Sequence, residues 1–105
     1  MKILCLCAKG DSRSVALAHV LKERGHDALA AGLDAVGDDT LDMLVNWADK
    51  VIAVSATRYE TLRHKFPEEI AAGVLLWDVG HDIYFRGIPI EYIRFFNERA
   101  DEAGF

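Results

Sequence analysis

Short apolar runs alternate along this chain with stretches of helical period. Residues 2–7 (Lys-Ile-Leu-Cys-Leu-Cys) predict a strand buried on both faces, closed by the turn signal Lys9-Gly10-Asp11. Over residues 13–24, Leu17, Val20, Leu21 and Arg24 recur at i, i+3, i+4 and i+7, and Gly25 follows as a helix stop. Residues 28–31, three alanines and a leucine, read as a second strand. Asp38 or Asp39 caps the next helix, whose apolar stripe is Leu41, Leu44, Val45 and Ala48. Residues 50–54 are a third strand. Thr57-Arg-Tyr-Glu60 then has the form of a capping box, with Leu62 and Phe66 on one stripe and Pro67 ending the helix. Residues 73–77 are a fourth strand, residues 78–88 an irregular connection. Pro89 suits the first turn of a last helix carrying Tyr92, Ile93, Phe96 and Ala100.

Strand and helix thus alternate four times. This predicts an α/β fold of three layers, a four-stranded parallel sheet covered by helices on both faces. Right-handed crossovers leave few topologies, and the flavodoxin-like strand order 2-1-3-4 is the expectation. In that topology ligands bind outside the carboxyl ends of the strands, near the β1/β3 switch point. No repeat, linker or low-complexity tract divides the chain, so residues 1–105 read as one domain.

Composition narrows the functional classes. Lys plus Arg is 12 and Asp plus Glu is 17, a formal net charge of −5. The pI near 5.2 argues against nucleic-acid or anionic-membrane partners, which need a positive surface. No apolar run approaches the roughly 18 residues of a spanning helix, and no export signal is expected. The two cysteines, Cys5 and Cys7, fall on one face of one predicted strand, where a disulfide between them would be badly strained. A reducing cytoplasm is the expected setting.

The topological rule points at residues 7–14, Cys7-Ala8-Lys9-Gly10-Asp11-Ser12-Arg13-Ser14. A cysteine ends the first strand and an arginine stands six residues later at the mouth of a helix, the spacing C-x5-R-S. These residue types suit phosphoryl transfer to sulfur. The nucleophile must be a thiolate, which a helix N-terminus and a nearby cation favour. A tight loop entering a helix offers a ring of backbone N–H groups to a phosphate. A planar guanidinium grips two equatorial oxygens at once, which lysine cannot. Five intervening residues let Arg13 face back toward Cys7, and the Ser14 hydroxyl can donate to the sulfur. The bland alternative is a small core cysteine with Arg13 merely solvated.

On these residues the chain resembles the low-molecular-weight protein-tyrosine-phosphatase superfamily, whose signature is C-x5-R-[S/T] directly after the first strand. The stretch from Trp47 to Pro67 is similar to that family's third strand and following helix, especially in its short bacterial branch. Ala30-Ala31-Gly32 stands where such proteins often have Ser-Ala-Gly. The resemblance implies a phosphotyrosine phosphatase I-like fold, and a phosphate cradle formed by Ala8, Lys9, Gly10, Asp11, Ser12, Arg13 and Ser14. It departs from the family pattern in the loop. Lys9 and Gly10 occupy the usual Gly-Asn positions, Asp11 adds an acid, and Ser12 replaces a second cysteine that serves many relatives as a redox partner.

Ester cleavage also needs a proton for the leaving oxygen. The resemblance implies an aspartate just after the last strand. Asp78 matches that place, although Val79 replaces the family's proline, and Asp82 is the alternative. Tyr84 and Phe85 are candidates for a substrate wall, with core packing as their competing use; Tyr59 reads as a core or rim residue. Of the four histidines, His81 lies between the two aspartates without a second histidine at ligand spacing, so no metal is expected, and no cofactor. His19 reads as an ordinary surface residue.

The expected activity is hydrolysis of phosphotyrosine-like aryl phosphates, on a phosphorylated protein or a small molecule, through a cysteinyl-phosphate. A cysteine phosphotransfer carrier resembling a sugar phosphotransferase IIB domain is the second reading, and Arg13 counts against it. Arsenate reduction needs further downstream cysteines, which this chain lacks. A catalytically degenerate anion-binding or interaction module is the non-enzyme reading, supported by Asp11 and the missing Asp-Pro.

Overall fold

Alternation of side chains along one central strand sets the architecture. In the computed structural model, which describes residues 1–8, 13–79 and 90–105, β1 (Lys2–Cys7) is buried from Ile3 onward. Its odd positions Ile3, Cys5 and Cys7 join one core cluster and its even positions Leu4 and Leu6 another. A strand sends successive side chains to opposite faces, so a strand apolar at every position must be covered on both. The covers are α1 (Arg13–Glu23) and α5 (Ile90–Ala103) on the odd face, and α2 (Asp38–Trp47) and α3 (Ala56–Lys65) on the even face. β2 (Asp27–Gly32), β3 (Lys50–Ala53), the short α4 (Glu68–Ala71) and β4 (Val74–Leu76) complete the order.

The sheet runs β2-β1-β3-β4, all parallel, as the sequence predicts. Lys2 pairs with Asp27 and Cys7 with Gly32, while Ile3 to Leu6 pair with Lys50 to Ala53. Both neighbours of β1 therefore finish close to Cys7, which puts that residue at the centre of the carboxyl edge.

Helix ends explain where elements stop. The His26 N–H donates to Leu21 O and the Gly25 N–H to Lys22 O, with Gly25 at φ 91°. These paired bonds take up the last carbonyls of α1 and need the left-handed region that glycine enters freely. The same pairing closes α5, where Phe105 donates to Ala100 O and Gly104 stands at φ 78°. Phe105 then packs against Trp77 with tilted rings, centres 5.5 Å apart, and meets His26 edge-on.

Two caps differ from expectation. Gly37 rather than an aspartate is the N-cap of α2, so Asp38 and Asp39 lie inside the first turn, where they favour the positive helix end. Ser55, not Thr57, is the N-cap of α3, and neither cap makes a side-chain hydrogen bond. Helix α3 starts directly after the short β3, which draws Thr57 into the helix interior; its carbonyl accepts from Thr61 Oγ1. Helix α4 was not legible, being one turn with no period of its own. Pro89 and most of the 78–88 connection lie outside the described residues. Among the described residues, no helix is long and apolar enough to cross a membrane.

Arg24, at the end of α1, clasps α5. Its guanidinium donates to Asn97 O and Phe105 O, each at 3.0 Å, and to Asn97 Oδ1 and Asp101 Oδ1. The Asp101 carboxylate is largely exposed, so that ion pair adds little; the bonds to backbone carbonyls matter more. Arg24→Ala should lower stability by about 1–2 kcal/mol. For a domain of this size that is a fall in Tm of about 4–8 °C per kcal/mol, read by thermal denaturation.

Candidate active site

The carboxyl end of β1 delivers Cys7, and the start of α1 delivers Ser14 beside it, with Arg13 the residue before Ser14. Ser14 Oγ lies 3.1 Å from Cys7 Sγ, and both side chains are buried. Arg13, the first residue of α1, is only 8% exposed. Aromatics aside, Arg13 and Ser14 are the buried polar or charged residues among those described. Buried polar groups are expensive unless partnered, so two consecutive ones at the start of α1, with Ser14 against Cys7, make this place a candidate site. The helix also directs its first N–H groups, which have no partner within the helix, toward this end.

The two cysteines separate. Cys5 lies two residues deeper in β1, fully buried, and burial pushes its thiol up to about 12, against a smaller opposite pull from Lys22. It is inert at neutral pH. Cys7 differs from it in touching a hydroxyl and in standing at the strand's end.

Asp78 comes to the same edge. Trp77 N–H donates to Ala53 O at 2.9 Å and Val79 N–H to Val54 O at 3.3 Å, so the chain after β4 stays alongside β3. Trp77 and Val79 pack on the α1/α5 cluster, whereas the intervening Asp78 is exposed. With β3 between β4 and β1, strand spacing places it about 10 Å across the edge from β1. Lys9, Gly10, Asp11, Ser12, His81, Asp82, Tyr84 and Phe85 lie outside the described residues. His19 is exposed on α1, and Tyr59 is half-buried against the α2/α3 cluster with Arg63 5.6 Å above its ring.

The sequence did not single out the connection after β2. Leu33 N–H donates to Cys7 O at 2.7 Å and Asp34 N–H to Ala8 O at 2.8 Å. The Asp34 carboxylate is bonded to Arg58 of α3. Ala30-Ala31-Gly32 marked the neighbourhood, but no local signal joins residues 24 positions apart in the chain.

A parallel sheet in this order, with its cysteine and helix mouth at the switch point, is a flavodoxin-like fold, the one found in the low-molecular-weight protein-tyrosine-phosphatase superfamily. The YwlE arginine phosphatase from Geobacillus stearothermophilus superposes with a TM-score of 0.67 at 18% identity, over 96% of this chain and 86% of that one. A YwlE mutant from Bacillus subtilis superposes with a TM-score of 0.70 at 16% identity, over 100% and 99%. No family model matches the chain, and no curated protein matches it by sequence. The resemblance read from the sequence therefore holds as a shared fold.

Proposed function

We propose that this chain is a phosphatase that works through Cys7. The observation that carries the reading is the buried contact between Cys7 Sγ and Ser14 Oγ, with buried Arg13 as the neighbouring residue. In the first step the Cys7 thiolate lone pair attacks phosphorus and forms the S–P bond. The bond to the leaving oxygen breaks in line, and Asp78, as the carboxylic acid, gives that oxygen its proton. Arg13, the N–H groups of the 7–14 loop and the Ser14 hydroxyl bind the phosphoryl oxygens and sulfur as charge moves. Water then attacks phosphorus, its proton passes to the Asp78 carboxylate, and the S–P bond returns its electron pair to sulfur. No metal or cofactor enters either step.

The substrate class is a phosphorylated protein or small aryl phosphate, with Tyr84 and Phe85 as its wall. A phosphorylated guanidinium is a second reading, favoured by the activity named for the Geobacillus neighbour. The balance of p-nitrophenyl phosphate against phosphoarginine hydrolysis separates the two. Turnover of either, with phosphocysteine trapped by a denaturing alkaline quench, supports the phosphatase. A stable phospho-Cys7 that passes to a partner without hydrolysis would instead mark a carrier, and neither turnover nor phosphate binding would mark a degenerate module.

Asp78→Asn should lower turnover by about a hundredfold, the lower end of what general acid–base catalysis contributes. Asp82→Asn, at the alternative acid, should leave it within about threefold if Asp78 supplies the proton. The reverse pattern in steady-state kinetics would move the acid to Asp82.

A further inference from the structure

The hydrogen bonds behind the nucleophile have a directional consequence. Leu33 and Asp34 hold the carbonyls of Cys7 and Ala8, the first two residues of the proposed phosphate loop. A trans peptide points its C=O and N–H in opposite directions, and none of the described peptides is cis. With the Cys7 carbonyl turned toward the β2 side, the Ala8 N–H is turned away from it. Since β2 and β3 flank β1 on opposite sides, that N–H faces the β3 side. This is the crevice where strand order reverses and where ligands of open α/β sheets bind.

The connection that holds these carbonyls is itself held at one point. Asp34 Oδ2 and Arg58 NH2 are 2.5 Å apart. Asp34 follows β2 and Arg58 lies in the first turn of α3, after β3. The ion pair therefore joins the two sides of β1, whose neighbours lie about 10 Å apart by strand spacing, across its carboxyl end. Arg58 is not a swinging surface arginine: its side chain is about three-quarters covered, and its Nε is buried. An ion pair with one exposed partner adds little to global stability, so its location matters more than its strength.

We propose that Arg58 and Asp34 are positioning residues for the phosphate loop. The pair fixes the β2–α2 connection across the end of β1, so that Leu33 and Asp34 hold the Cys7 and Ala8 carbonyls and keep the Ala8 N–H aimed into the anion site. The identity of the anion rests on the phosphatase reading; the geometry does not.

The test uses Arg58→Ala, Asp34→Asn, their combination and Arg58→Lys in the full chain. Two readouts are used: kinetics on p-nitrophenyl phosphate, and protection of Cys7 from iodoacetamide by inorganic phosphate. Each single change should weaken phosphate protection and lower kcat/KM by about tenfold, while Tm moves by only about 2 °C. The combined variant should be no worse than either single, because both remove one interaction. Arg58→Lys, which keeps the charge, should recover to within about threefold of the parent. Unchanged phosphate protection in Arg58→Ala overturns the proposal, as does a combined loss equal to the product of the singles. Asp34→Asn is nearly isosteric and keeps the test decisive should Arg58→Ala fail to fold. Absent turnover in the parent chain defeats the phosphatase reading alone, since phosphate protection still reads the loop. A parent chain that phosphate does not protect overturns both.

Discussion

Replacing Cys7 with serine is expected to abolish turnover, by at least about 10⁴-fold, while leaving the fold and phosphate binding in place. The size follows from the chemistry. Serine keeps the shape and the contact with Ser14, but an alcohol is scarcely ionised near neutral pH and offers no comparable nucleophile. Arg13, Ser14 and the helix N-terminus remain, so inorganic phosphate should still bind with its affinity changed by less than about tenfold. Cys5 does not substitute. It sits two residues deeper, is fully buried, and holds its proton because burial raises its pKa to about 12. Iodoacetamide should accordingly modify the native parent chain once, at Cys7, and the Cys7→Ser variant not at all. Turnover surviving in that variant at more than a hundredth of the parent rate would remove Cys7 from the mechanism.

The second large effect is expected at Arg13. Arg13→Lys preserves a positive charge at the mouth of α1 but replaces a planar fork with a point charge. A transferring phosphoryl group presents equatorial oxygens that a guanidinium holds in pairs, and the hold must persist as sulfur and leaving oxygen exchange places. We expect kcat/KM to fall by about 10²–10³, in the range seen when one preorganised oxyanion donor is removed. Most of that loss should lie in kcat, since lysine still attracts the ground-state dianion. Steady-state kinetics with phosphate inhibition separates the two contributions. A variant within about threefold of the parent would return Arg13 to the role of a helix residue with no part in the chemistry. Its burial argues against that outcome, because a surface arginine is seldom 8% exposed.

Much of the fold was legible because the signals are local and periodic. The all-apolar run of β1 required cover on both faces, and alternation with helical stretches then required parallel pairing. Gly25 identified its helix end because paired capping bonds need a residue at positive φ. The capping box at Thr57 misled, since the same four residues fit a helix interior once β3 ends at Ala53 and Ser55 takes the cap. Local spacing cannot say where the preceding strand will stop.

The candidate site divides in the same way. The sequence by itself determined Cys7, Arg13 and Ser14, because one loop carries all three and C-x5-R-S is a property of consecutive residues. It also determined the order of the strands and of every helix but α4, through hydrophobic period. Only the tertiary structure decided that Ser14 Oγ meets Cys7 Sγ, and that the two cysteines differ in environment though they share a face. It alone brought Asp34 and Arg58 together across the end of β1. Those two residues belong to different loop–helix junctions, and nothing in either segment encodes the other. They meet because two parallel strands flank a third and finish at the same edge, a relation that exists only once the sheet has formed.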